Sequence, residues 1–284
     1  RRTCDQHKKL EENTMKKLLS LALALALLSG LAACGSGSAD PSDVTASLAK
    51  AQEVAAGLTS AKTEMDMDMS YTITADGQNL DVSTTMSMST EVIMEPMTAY
   101  ALVSMDVMGV QMDVYSYVRQ EGEGYVAYAS LDGTNWTPQE LTEDQLAQYN
   151  AAQSVEFYIR AAQGFKYSGE EELDGVKLHR YDGELTGDML NEAVELSGMD
   201  TMLSSYGVNG DTVFEGSMPM SIWLDAETFA PVRYELDMSQ VIAGYMQGMF
   251  EAEGASMENA SILVSIRLSE LNAIESIETP AGIE

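Results

Sequence analysis

The sequence predicts an α+β fold: one antiparallel sheet of about ten strands with three or four helices. Three observations lead there. Apolar and polar residues alternate one by one through most of residues 60–272. Turn dipeptides such as Asp76-Gly77, Asp132-Gly133 and Asp174-Gly175 join the alternating runs in hairpin order. Strands and helices never alternate in the βαβ manner, which argues against a doubly wound sheet or a two-lobed α/β solute receptor.

The first element is a helix over residues 43–59. Pro41 and Ser42 or Asp43 start it, and Val44, Leu48, Ala51, Val54, Ala55 and Leu58 form one apolar stripe. The period then changes to two. Met65, Met67, Met69, Tyr71 and Ile73 alternate with Glu64, Asp66, Asp68, Ser70 and Thr72, the pattern of a strand with one wet face. After Asp76-Gly77 comes a strand carrying Val82, Thr84, Met86, Met88 and Val92. Residues 99–107 and 110–119 pair around Met108-Gly109, and residues 124–130 add a short strand before Asp132-Gly133 turns the chain toward Trp136.

A helix is expected from Thr142 toward Tyr158, capped by Thr142-Glu143-Asp144. A hairpin over Phe165–Leu173 and Val176–Leu185 follows, then a helix over Asp188–Leu203 and a loop over 204–217. Met218–Asp225 and Ala230–Asp237 form another hairpin, Val241–Phe250 a short helix, and Ser256–Leu271 the last long strand. Residues 273–284 read as a loose tail.

Ahead of this domain lies a secretory signal. Lys16 and Lys17 follow Met15, an apolar run of 11 residues spans Leu18–Leu28, and small residues lead to Ala33. A membrane-spanning helix needs about 20 apolar residues, so the run is too short to be one. Leu31-Ala32-Ala33-Cys34 resembles the bacterial lipobox. That resemblance implies cleavage between Ala33 and Cys34 and diacylglycerol on the Cys34 sulfur. Two acyl chains hold a protein stably to a membrane where one does so only marginally. Gly35-Ser36-Gly37-Ser38-Ala39-Asp40 reads as a flexible tether, which extends to residue 42. Arg1–Thr14 is charged and aperiodic. It is expected to lie upstream of the true start at Met15, since Leu10-Glu11-Glu12 can be encoded with a ribosome-binding GGAGGAG.

Residues 1–33 hold six of the 15 basic and three of the 45 acidic residues. The chain from Cys34 therefore has nine basic and 42 acidic residues, a net charge of −33 over 251 residues. Nucleic acid is excluded as a partner, since binding it requires basic surface. Docking on anionic lipid heads through charge is disfavoured for the same reason. No cysteine follows Cys34, so no disulfide staples the domain and packing must hold it. Methionine is abundant, with 20 in the chain against five phenylalanines, and its flexible thioether suits surfaces that adapt to varied apolar shapes.

Lipobox, N-terminal helix and long antiparallel strands together resemble the Lol-type lipoprotein carriers and the mycobacterial LppX/LprG-type lipoproteins. Uncharacterised lipoproteins of Gram-positive bacteria are similar in finer detail. They share a Met-rich first strand like Glu64-Met65-Asp66-Met67-Asp68-Met69, a Tyr-rich strand leading to a tryptophan (here Tyr125 to Trp136), and a hairpin like Ile222–Val232. The resemblance covers residues 43–272 and rests on layout, with no invariant chemical motif. It implies a curved half-barrel sheet wrapping its helices around an apolar cavity, with a lipid or other hydrophobic ligand as cargo.

No catalytic constellation emerges. His179, the sole histidine after Met15, lies in Leu178-His179-Arg180-Tyr181-Asp182 without a Gly-x-Ser-x-Gly elbow to accompany it, and reads as a strand residue beside a tyrosine. Carboxylate pairs arise by chance among 42 acidic residues. A histidine or cysteine metal site is excluded by count. Asp132-Gly133-Thr134-Asn135 and Asn209-Gly210-Asp211 offer oxygen ligands, but neither matches an EF-hand loop and turn chemistry explains both.

The expected protein is therefore a non-enzymatic lipoprotein on the extracytoplasmic face of the membrane, with no cofactor beyond the diacylglycerol on Cys34. Met65, Met67, Met69, Met86, Met88, Met105 and Met112 are the candidate lining of its apolar cavity. The rival expectation is a surface scaffold with a filled core that acts through protein contacts.

Overall fold

The computed structural model describes residues 40–283 apart from 76, 108, 143–144, 147–150, 197–213 and 253. The expected signal and lipobox, the Asn209-Gly210-Asp211 segment and the C-terminal part of the helix expected over 188–203 lie outside the described residues.

Helix α1, Val44–Ala56, is capped by Asp43, whose carboxylate accepts from the Ala46 N–H at 3.1 Å. Its buried stripe is Ser47, Leu48, Ala51 and Ala55. The chain then lays down β1 (Ser60–Ala75), β2 (Gln78–Met94), β3 (Met97–Val107), β4 (Val110–Glu121), β5 (Gly124–Ser130) and β6 (Thr137–Glu140) as a continuous meander. Helix α2, Ala151–Ala161, carries the chain to the opposite edge of the sheet. There β7 (Lys166–Leu173), β8 (Val176–Thr186), helix α3 (Gly187–Leu196), β9 (Ser217–Asp225), β10 (Pro231–Asp237), helix α4 (Ser239–Ala252) and β11 (Ser256–Ser269) return toward the start. The strand order is β6-β5-β4-β3-β2-β1-β11-β10-β9-β8-β7, antiparallel at every pairing. Two meanders are thus fused along β1 and β11 into one open, curved half-barrel sheet around its helices, as the sequence predicted.

Eleven strands form where about ten were expected. The addition is β6, Thr-Pro-Gln-Glu, which has no apolar alternation to announce it. It is an edge strand, the place where a proline such as Pro138 costs no ladder hydrogen bond. The helix expected from Thr142 starts with a capping box: Thr142 Oγ1 accepts from the Gln145 N–H at 3.3 Å and Gln145 Oε1 accepts from the Thr142 N–H at 3.0 Å.

The tail corrects the sequence reading. Residues 273–283 are docked rather than loose. Asn272 Oδ1 accepts from the Thr59 N–H at 2.6 Å, and the Ile274 N–H donates to Ser60 Oγ at 3.1 Å. Further on, Thr279 meets the Tyr117 hydroxyl at 3.1 Å, and the Trp136 indole donates to the Ala281 carbonyl at 3.1 Å. The segment is held by single polar contacts at intervals, and no hydrophobic period marks such contacts in the sequence.

Candidate functional site

Side chains of a strand alternate between faces, so register decides which residues share a surface. One face of this sheet carries a continuous apolar row: Met112, Met105, Met86, Met67, Val264, Leu236 and Met220, each opposite the next on the neighbouring strand. The adjacent row on that face reads Val114, Val103, Met88, Met65, Ile266, Tyr234, Ile222 and Tyr181. The sheet therefore assembles the predicted methionines on one surface, with Met69 one position further along β1 opposite Ile262 and Thr84.

Burial along these rows is graded. Met220, Ile222, Leu236, Tyr234 and Tyr181 are buried, as are Met65 and Met67. Met69, Met86, Met88 and Met105 are half-buried, and Met112 is 49% exposed. Helix placement accounts for the gradient. Among the described residues the longest helix, α4, has 14 residues and spans about 21 Å. Helix α4 packs on β9 and β11, α3 on β8 and β9, and α1 on α2. Among the described residues the helices thus cover the β8–β11 half of the face, while the methionines of β2–β4 lie at its more exposed side. Beside them, Ala61, Val92, Ala99 and Val118 form a small closed cluster sealed by Tyr125, Ala127, Leu141, Leu146 and Leu271.

Under the helices, the core holds polar atoms that the sequence reading missed. The Tyr234 ring lies 4.8 Å from Tyr158, and the Tyr234 hydroxyl has no hydrogen-bond partner among the described residues. Burial pushes the Tyr158 phenol up to about 12 and raises Tyr234 well above its usual value. His179 is buried between the rings of Tyr167 and Phe229, 5.8 Å from each, with Glu170 at 4.0 Å. Helical cover creates these environments, and strand alternation shows only that the rings face inward.

The opposite face is polar. A groove of about 510 Å³ runs over it, lined by Asp66, Asp68, Asp182, Glu235 and Asp237 beside Arg180 and Arg233. Trp223 is held between the two guanidiniums, 4.9 Å from Arg180 and 5.1 Å from Arg233. Its indole donates to Glu171 at 2.7 Å, and Arg180 donates to Glu171 at 2.9 Å and to Asp182 at 2.7 Å. The Arg180 and Trp223 bonds hold the Glu171 carboxyl below its usual value. The cations here are already engaged by neighbouring carboxylates, which makes the groove a structural network.

At Asp132-Gly133-Thr134-Asn135 the turn reading holds. The Asp132 carboxylate accepts from the Thr134 and Asn135 N–H groups at 2.9 and 2.8 Å, and from the side chains of Ser130, Thr134 and Asn135. Those bonds lower its pKa strongly, as expected of a carboxylate that closes a turn.

A protein-family model described as "Family of unknown function (DUF6612)" matches residues 43–284. No curated protein matches the sequence at a significant level. Among solved structures, LprF from Mycobacterium bovis is similar at 15% identity, covering 84% of this chain and 98% of that one with a TM-score of 0.48. The Mycobacterium tuberculosis lipoprotein LppX is similar at 14% identity, covering 84% of this chain and 100% of that one with a TM-score of 0.43. A LolA superfamily protein of Nitrosomonas europaea is 11% identical, covering 80% of this chain and 91% of that one with a TM-score of 0.21.

Proposed function

We propose, from the premise that this chain belongs to the DUF6612 family, that it is a lipid-anchored envelope protein binding a lipid or another hydrophobic molecule against the methionine side of its sheet. One observation carries the reading: the apolar face continues past the helices, so that Met86, Met88 and Met105 are only half-buried. Covering such a surface is favourable by about 25 cal/mol for each Å² removed from water. Methionine adapts to an acyl chain or a ring without strong shape demands, so the surface would select for apolarity over exact outline. The lipobox at Leu31–Cys34 supports the anchor.

Native mass spectrometry of a soluble form beginning at Gly35, with lipid extraction of the same sample, tests the cargo. A stoichiometric apolar adduct is expected. Met88→Asp with Met105→Asp should abolish it while the circular dichroism spectrum stays unchanged, because each places a charge on the half-buried part of the apolar face. A folded double variant that keeps its cargo overturns the assignment, and a parent that takes up neither native lipid nor added acyl probes favours the filled-core scaffold. For the anchor, Cys34→Ala should move the protein from the membrane to the soluble fraction.

A further inference from the structure

We propose that the methionine row of β1–β4 is a binding site for a soft monovalent cation, Cu(I) or Ag(I), held by thioether sulfurs. The inference goes beyond the hydrophobic-ligand reading and does not rest on it. Met67, Met86, Met105 and Met112 occupy directly opposed positions on four successive strands, and Met65 opposes Met88 in the next row of the same face. Directly opposed residues of an antiparallel pair hold their Cβ atoms about 4.5–5.5 Å apart. Two torsions, χ1 and χ2, set where each unbranched methionine carries its sulfur, so two or three sulfurs of neighbouring strands can converge on one ion.

Ligand chemistry selects the ion. Thioether sulfur is soft and favours Cu(I), whereas calcium, magnesium and manganese favour carboxylate and carbonyl oxygen. The carboxylates nearest in sequence, Asp66, Asp68, Asp106 and Asp113, occupy alternate positions on these strands and so face the other side of the sheet. A hard cation finds no ligand among the sulfurs. Access is graded along the row, from Met112 at 49% exposed through half-buried Met105 and Met86 to Met67 at 4%. Packing does not demand sulfur here. The same row continues under the helices as Val264, Leu236 and Met220, so the packed half needs only one sulfur where the open half has three or four, and β-branched side chains suit strands better than methionine does. The net charge of −33 on the chain from Cys34 raises the cation concentration around the molecule.

The test uses the full chain in detergent, without a histidine tag, carrying Cys4→Ser and Cys34→Ser so that no thiolate competes. Cu(I) is titrated anaerobically against a chromophoric Cu(I) chelator, and Ag(I) by calorimetry. Binding of Cu(I) is expected, with an affinity that stays flat from about pH 5 to 8, because a thioether has no proton to lose, unlike cysteine, histidine or carboxylate ligands. Met86→Leu with Met105→Leu keeps apolar volume and should lose about tenfold or more in affinity, since even outer-shell changes cost about 10–100-fold at metal sites. Met218→Leu with Met238→Leu, in the covered half, should bind as the parent does. A parent that takes up no Cu(I), an affinity that rises steeply with pH, or a Met86/Met105 variant that binds undiminished overturns the proposal. Should that double variant lose its melting transition, the exposed Met112→Leu decides instead: weakened binding supports the site, and unchanged binding overturns it.

Discussion

The row that runs from Met112 to Met220 crosses β4, β3, β2, β1, β11, β10 and β9, and it changes character midway. On the β9–β11 side its residues are buried beneath α3 and α4. On the β2–β4 side the same alternation continues with half-buried methionines and ends at a solvent-exposed one. The ladders of the methionine side run without a register shift, while β1·β11, β9·β10 and β7·β8 each carry one, so regular pairing does not bring burial. The difference lies in cover: among the described residues, α3 and α4 pack on β8, β9 and β11. One sheet thus supplies both a packed core and a more exposed apolar surface, and the proposed binding surface lies on the half that packing leaves incomplete.

The largest effect that separates the halves is core truncation. Ile222→Ala, at a fully buried site, should destabilise by about 2–5 kcal/mol, whereas Met105→Ala, half-buried, should cost about 1 kcal/mol or less. Chemical denaturation followed by circular dichroism measures both. Equal costs would break the comparison and make the methionine side an ordinary core. A smaller effect concerns the tail that props the methionine half. Gly282 has φ +95°, and a Cβ there would meet the Thr134 carbonyl oxygen at 2.6 Å. Gly282→Ala should cost about 1–3 kcal/mol locally. Hydrogen exchange should then quicken in β4–β6 near Tyr117 and Trp136 while β8–β10 keeps its protection. Uniform loss of protection would show that the halves open together.

Much of this was legible in the sequence, and the parts that were not have physical reasons. Period-two alternation and Asp-Gly turns are local consequences of strand geometry, so they marked the hairpins of β1–β4 and of β7–β10. The same alternation put Met65, Met67 and Met69 on one face, and only register could add that Met67 meets Met86 and Met86 meets Met105. Cover was illegible, because whether a helix reaches Met105 depends on where α2 crosses the sheet. The short edge strand β6 and the docking of Thr279 and Ala281 were equally hidden, since single hydrogen bonds at isolated positions leave no periodic trace. The Trp223 network required three strands to meet before Arg180 and Arg233 could flank one indole.

The smallest expected effect sharpens the comparison through pH. A buried phenol resists ionisation, so its folded pKa lies above its unfolded value near 10. The neutral form is the one the fold accommodates. Stability is therefore fully present below pH 10 and declines as pH rises from there toward the folded value, which for Tyr158 is about 12. The covered half should unfold at alkaline pH with little dependence on salt, because burial is the cause. In the other half, Tyr128 is raised mainly by its hydrogen bond to Glu121 at the surface, an interaction that salt screens. Tyr234→Phe removes a buried hydroxyl that has no partner among the described residues. At neutral pH it should change stability by less than about 1 kcal/mol, in the stabilising direction, since nothing is left unpaired by the change. Above pH 10 its melting temperature should fall less steeply than the parent's, with Tyr128→Phe as the salt-sensitive comparison. A Tyr234→Phe variant that loses stability at neutral pH would mean that the hydroxyl is bonded in solution, and would extend the ligand-accessible surface beneath the helices.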